Sequence, residues 1–149
     1  MTRWLSEHEQ QTWQAFIRMR QRLDAALAAG LAEHGLSMPD YELMVPLSAA
    51  PQGRLRARDL AAEVCWDKSR LSKQLARMAA RGLVDRAPAA DDARGIVVTL
   101  TEHGRAVLRA AAPEHVELVR KLFVDNMSPE ESAALRSLSA KVTSAIEEG

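Results

Sequence analysis

The chain has 149 residues, 47% hydrophobic and 27% charged, a composition that predicts a globular domain and excludes extensive disorder. A single cysteine, Cys65, excludes an internal disulfide and suits a reducing cytoplasm. No membrane association is expected, because no run approaches the ~20 consecutive apolar residues of a spanning helix. The net charge is zero, but residues 54–94 carry ten Lys/Arg against six acids, which predicts a local basic face.

Abundant alanine and leucine with only 4% aromatics predict a mainly helical fold. In residues 7–34, apolar side chains from Trp13 to Leu31 recur at helical spacing, which predicts one long helix. Pro39 and Asp40 then open a second helix, since proline suits a first turn. We expect this helix to be short or kinked because Pro46 lies inside it.

The next segments have the pattern of a helix-turn-helix. Residues 58–64 predict a short helix, and Cys65 and Trp66 form a brief connection. Asp67 then caps a helix that runs to about Arg81. Gly82 ends this helix, because glycine adopts the left-handed conformation most easily. The tight joint between two short helices is typical of this motif.

Two strands are predicted, at residues 83–86 and 96–100, the second rich in β-branched residues. The polar residues 87–95 join them into a β-hairpin, the layout of a wing. Thr101 caps a helix that reaches about Asn126 and is kinked or interrupted at Pro113. Ser128 and Pro129 start the last helix. The predicted fold is therefore mainly α with a small β-hairpin wing (α+β), a winged helix-turn-helix with long terminal helices that form a dimerisation region.

The helix after Asp67 has two distinct faces. At about 100° per residue, Leu71, Leu75 and Met78 share one side and form a buried stripe. The opposite side has no acid after the cap and consists of Ser69, Lys73 and Ala76, with Arg70 and Arg77 on its flank. Such a face suits the major groove of DNA, where Arg and Lys donate to guanine. The alternative is an ordinary solvated helix face.

The segment from Arg81 to Gly104 carries the run R-G-L-V-x-R, then D-x-R, then V-x-L-T-x-x-G. This run resembles the MarR family of dimeric winged-helix transcription factors, and Leu60-Ala61 and Leu71–Met78 match its helix-turn-helix. The resemblance implies one unit over residues 1–149, with a DNA-binding lobe at 54–100 and dimerisation helices at 1–34 and 105–149.

The resemblance also implies roles for individual residues. Arg94 at the wing tip would enter the minor groove, and Asp92 would orient that arginine or the wing backbone. The major groove and its phosphates would face Ser69, Arg70, Ser72, Lys73 and Arg77. Asp91 beside Asp92 departs from the expected pattern and predicts a weaker wing. Trp66 is also unexpected, and it would be core or contact the DNA backbone.

The partners implied are double-stranded DNA, a second copy of the chain and a small-molecule effector. The homodimer interface would use apolar residues near the C-terminus: Leu122, Phe123, Leu135, Leu138, Val142 and Ile146. An effector site would be lined by Trp13, Tyr41 and Met44, unless these are ordinary core residues.

Three further signals leave alternatives open. Cys65 is either a redox sensor or a small buried apolar residue. The four histidines show no spacing typical of metal ligands, so neither a metal nor a cofactor is expected. No phosphate loop or nucleophile–base pair predicts an enzyme. The sequence favours a repressor released by a small-molecule or redox signal, the alternative being a winged-helix module for protein–protein contact.

Overall fold

The structure is a computed structural model that describes residues 1–149, apart from the side chain of Ala93. Its described helices are α1 (Glu7–Ala32), α2 (Met38–Ala49), α3 (Ala57–Val64), α4 (Lys68–Ala80), α5 (Glu102–Leu122) and α6 (Pro129–Glu148). The strands are β1 (Arg54–Arg56), β2 (Val84–Ala89) and β3 (Asp92–Leu100). The chain forms two compact units, Met1–His115 and Val116–Gly149, which are described separately below.

Serine side chains start three of the helices. Ser6, Ser37 and Ser128 each accept a hydrogen bond from a backbone N–H in the first turn, and an acidic side chain three residues later accepts one from the serine N–H. These capping boxes satisfy donors that a helix end leaves unpaired. The predicted start at Ser128 is confirmed, whereas α2 begins at Met38 after Ser37 rather than at Pro39.

Neither Pro46 nor Pro113 interrupts its helix, so the interruption considered at Pro113 does not occur. Helix α2 runs unbroken through Pro46 for 12 residues, and α5 runs through Pro113 for 21 residues. A proline inside a helix removes one hydrogen bond. In α2 this loss is offset by the Ser37 cap and by the burial of Leu43, Met44 and Leu47. Helix α5 ends at Leu122, before a 3₁₀ turn at Val124–Asn126, so the predicted helical end at Asn126 was also late.

The wing is part of a three-stranded antiparallel sheet with the order β1-β3-β2. Strand β1 was missed by the sequence analysis; it pairs with β3 so that Leu55 lies opposite Val98. The predicted wing loop at residues 87–95 was too long, because β2 continues to Ala89 and β3 starts at Asp92. The mainly α fold with a β-hairpin wing is confirmed, and β1 is added to it.

One hydrophobic core holds α2, α3, α4 and the sheet together in the first unit. Its fully buried side chains are Leu31, Leu43, Met44, Leu47, Leu60, Met78, Val84 and Val98. Because these residues come from α1 to α4 and from both strands of the hairpin, α4 and the hairpin are anchored to the same core.

The turn between α4 and β2 fixes how the hairpin leaves the helix. Gly82 has φ +73°, and the N–H groups of Gly82 and Leu83 donate to the carbonyls of Ala79 and Met78. This is a Schellman motif, so the predicted role of Gly82 is confirmed. The Thr101 hydroxyl accepts from the Gly104 N–H at 2.9 Å, as predicted for a cap, and donates to the Gly82 carbonyl at 2.6 Å.

Candidate nucleic-acid interface

Helix α4 presents one buried and one exposed face. The Asp67 carboxylate accepts from the Arg70 N–H at 2.8 Å, which confirms the predicted N-cap. Leu71, Leu75 and Met78 are buried, so the predicted apolar stripe is also confirmed. The residues predicted to face DNA from this helix are all exposed: Ser69, Arg70, Ser72, Lys73 and Arg77. A groove of DNA could therefore reach them without any rearrangement of the core.

Two arginines on one flank of α4 are held by neighbouring side chains. The Arg70 guanidinium lies 3.8 Å from the centre of the Trp66 ring, and Trp66 is only 8% exposed. Trp66 is therefore a core residue that also supports a cation, and cation–π contact is strongest over tryptophan. Arg77 donates from Nη2 to Gln74 Oε1 at 2.8 Å. Neither support was found by the sequence analysis.

The hairpin projects Arg94 from an irregular part of the ladder. Pro88 pairs with Ile96 and Ala89 with Asp92, so residues 93–95 are extra residues on β3. Bulges of this kind redirect side chains near functional sites. The Asp92 carboxylate accepts from the Arg94 N–H at 3.0 Å, and Arg94 itself is exposed. Asp92 thus contacts the backbone of Arg94 rather than its guanidinium.

Asp91 does not leave an unpaired negative charge at the wing tip. Its carboxylate forms an ion pair with Arg56, the last residue of β1. The pair partly neutralises Asp91 and links the hairpin tip to β1. The sequence analysis did not place Arg56 beside Asp91, and the effect of Asp91 on DNA binding by the wing stays a prediction.

A cleft of about 480 Å³ separates the hairpin from α3 and α4. Its apolar lining is Ala57, Ala61, Leu71, Leu75 and Ile96. Its charged lining is Arg56, Arg58, Lys68, Arg86, Asp92 and Arg94, five cations against one acid. The cleft therefore continues the positive surface of α4 to the wing.

Of the three residues predicted to line an effector site, Tyr41 and Met44 lie one turn apart on α2, whereas Trp13 lies on α1. Trp13 is exposed on α1, where its ring lies 5.9 Å from that of Phe16. Tyr41 is half-buried, with its ring 4.3 Å from that of His115. Met44 is fully buried in the core, as its alternative interpretation as a core residue predicts, and a role in an effector site stays a prediction.

Burial affects the titration of the Tyr41–His115 pair. Desolvation raises the pKa of Tyr41 and lowers the pKa of His115, because burial disfavours the charged form of each side chain. The neighbouring His34 Nε2 lies 2.8 Å from a Glu114 carboxylate oxygen. Among the described residues, no group of three His, Cys, Asp or Glu side chains is arranged to hold a metal ion.

Cys65 is exposed and has φ +58°, between α3 and α4. The alternative that it is a buried apolar residue was therefore wrong. The left-handed conformation of Cys65 ends α3, and its thiol sulfur lies 3.8 Å from the Ala62 carbonyl oxygen. In the described part of the chain, no helix is long and apolar enough to cross a membrane.

The second unit presents an apolar seam to solvent. Along α6, Leu138, Val142 and Ile146 are 58%, 50% and 73% exposed. Leu122 is also exposed, whereas Phe123 and Leu135 are half-buried. Exposed apolar side chains at this spacing are typical of a helix that packs against a partner.

Comparisons with known proteins agree with this architecture. A model of the MarR family matches residues 34–95. The chain is 37% identical to AbsC, a MarR family transcriptional regulator from Streptomyces coelicolor, with a TM-score of 0.94 over 99% of this chain and 100% of that chain. It is 34% identical to Sco3205, a MarR family regulator of the same organism solved in complex with DNA, with a TM-score of 0.93 over 97% and 91% of the two chains.

The HTH-type transcriptional regulator YfiV of Bacillus subtilis (strain 168) is 26% identical over 132 residues, 88% of this chain and 80% of that relative. The similarity thus extends over both units and includes the segment from Arg81 to Gly104 that carries the sequence motifs. The chain belongs to the MarR family of transcriptional regulators.

Proposed function

We propose that this chain is a sequence-specific DNA-binding repressor that binds a pseudopalindromic operator as a homodimer. The observation that carries the proposal is the exposed, acid-free face of α4, with the Arg94 wing anchored to the same core. The likeness to Sco3205, solved in complex with DNA, supports it. Catalysis has no part in the proposal, since the family is one of transcriptional regulators.

Each element of this surface suits a different feature of the duplex. Lys73, Arg70 and Arg77 can donate to guanine or to phosphates in the major groove, and Ser69 and Ser72 can bond either. Arg94 suits a narrow minor groove, where the negative potential is enhanced. Asp92 serves by holding the backbone at Arg94.

Two copies would read the two halves of one site. In this proposal the apolar seam of α6, with Leu122, Phe123 and Leu135, buries itself against a second copy. The two α4 helices then lie about 34 Å apart, one turn of DNA. A small-molecule or redox signal would release DNA by favouring a dimer with a different spacing, through its differential affinity for the two states. The exposed Cys65 thiol is the group that a redox signal would modify.

The test is a titration of the purified protein with the duplex just upstream of its own coding region, alongside an unrelated duplex of equal length. We expect tighter binding to the upstream duplex, and we expect it to weaken steeply with salt as phosphate-bound counterions are released. Equal or absent binding to both duplexes would favour the protein–protein module instead.

Replacing Arg94 with alanine tests the wing. Because the substitution removes one exposed cation and no core contact, folding should be unchanged while DNA affinity falls about tenfold. The slope of log affinity against log salt should shrink by about one, since one phosphate-region contact is lost. Arg18→Ala, an exposed arginine on α1, is the matched control and should leave both quantities unchanged. Wild-type affinity for Arg94→Ala would remove the wing from the proposed interface.

A further inference from the structure

We propose that Gln74 and Asp40 are positioning residues that aim the Arg77 guanidinium at DNA. This inference rests on the proposed DNA binding. Gln74 is a buried residue of α4 and Asp40 a buried residue of α2, and neither is proposed to contact nucleic acid itself. They act by fixing the direction of a neighbour that does.

The chain of contacts starts at a buried carboxylate. Asp40 in α2 is 1% exposed, and its Oδ1 accepts from Gln74 Nε2 at 2.6 Å. Its Oδ2 accepts from the Ser37 N–H at 2.9 Å and from Arg81 Nη1 at 2.7 Å. Arg81 also donates to the Gly35 carbonyl, beyond the end of α1. Asp40 therefore braces α4 at two positions, Gln74 and Arg81.

The order of donors and acceptors leaves only one orientation for Gln74. An ionised carboxylate only accepts hydrogen bonds and a guanidinium only donates them, whereas an amide does both. Gln74 must therefore turn its NH₂ group towards Asp40, which directs its carbonyl oxygen outwards. That oxygen accepts from Arg77 Nη2 at 2.8 Å. A reversed amide would place its oxygen against the Asp40 carboxylate and its NH₂ group against the Arg77 guanidinium, so neither hydrogen bond could form.

Holding Arg77 in this way should improve DNA binding. A free arginine loses rotamer entropy when it is fixed, and a side chain held beforehand loses less on binding. Gln74 is itself 5% exposed, so its amide is held in place from the core side. Arg70, on the same flank, is supported by Trp66 and does not depend on Gln74.

The test compares the effect of Arg77→Ala in two backgrounds, wild type and Gln74→Met, by fluorescence anisotropy with the upstream duplex. Methionine keeps the length and burial of the side chain but offers the guanidinium no acceptor comparable to the amide oxygen. In wild type we expect Arg77→Ala to weaken binding about tenfold. In the Gln74→Met background, where Arg77 is already released, it should weaken binding only about twofold to threefold.

Arg70→Ala is the matched control, and its effect should be equal in the two backgrounds. Asp40→Asn is a second route if Gln74→Met lowers the unfolding temperature too far to measure binding. The asparagine keeps its oxygen towards Ser37 and Arg81 and its NH₂ towards Gln74, so the Gln74 amide reverses and no longer accepts from Arg77. The effect of Arg77→Ala should then shrink as it does in Gln74→Met.

Equal effects of Arg77→Ala in all backgrounds would overturn the inference, as would wild-type DNA affinity for Arg77→Ala alone. An equally reduced effect of Arg70→Ala would also overturn it, because the damage would then be general. Failure of the wild-type protein to bind the duplex would instead refute the proposed function, so the two failures are separable.

Discussion

Replacing Leu138 and Val142 together with glutamate should convert the proposed homodimer into monomers and weaken operator binding a hundredfold or more. Both side chains are at least half exposed on α6, so the substitutions should leave the fold of each protomer intact. Charges buried in an apolar interface carry a desolvation cost that dimerisation cannot offset. Each α4 helix would then bind DNA alone, without the ~10²–10⁴-fold gain from linking two sites. Sedimentation velocity and DNA titration on the same samples measure the two effects.

Ser139→Glu with Thr143→Glu is the matched control, because these exposed residues follow the replaced ones on α6 and add the same charge. The control should remain dimeric and bind as the wild type does. A dimeric Leu138→Glu, Val142→Glu variant would show that α6 is not the interface. A wild-type monomer at micromolar concentration would contradict the proposed homodimer, in which two α4 helices bind one DNA site.

Replacing Gly104 with alanine should destabilise the protein by about 2–3 kcal/mol, although alanine is ordinarily the better helix former. A Cβ at this position would overlap the Leu83 carbonyl oxygen and lie 2.8 Å from Leu100 Cδ1. The first turn of α5 would have to move away from the start of the hairpin. Thermal or urea unfolding measures the loss, and DNA affinity should fall with it because the wing is displaced.

Gly82→Ala is the comparison for this prediction. Gly82 has φ +73°, and the nearest atom to an added Cβ is 3.9 Å away, so only the left-handed conformation opposes the change. That conformation costs about 1–2 kcal/mol for a residue with a side chain. If Gly104→Ala were no more harmful than Gly82→Ala, close packing at Gly104 would not explain the glycine of the V-x-L-T-x-x-G motif.

The exposed and buried faces of α4 were predictable because a helix arranges neighbours three and four residues apart by its own geometry. Asp67, Gly82, Thr101 and Ser128 were recognised for the same reason, since a cap bonds to its own first or last turn. The motifs that resemble the MarR family allowed the roles of wing residues to be predicted as well. These features need no knowledge of distant parts of the chain.

Strand β1 and the supports of the candidate interface depend on contacts between distant residues. Arg54–Arg56 has one apolar residue and gains its structure only by pairing with β3. Asp91 contacts Arg56, which lies 35 residues away in the sequence, and Asp40 contacts Gln74, which lies 34 residues away. For Met44 the sequence left two roles open, because a helical apolar residue shows the same spacing whether it lines a crevice or fills a core. Local periodicity thus established which residues α4 shows to solvent, while the direction of Arg77 and the charge at the wing tip depended on long-range partners that only the packed fold brings together.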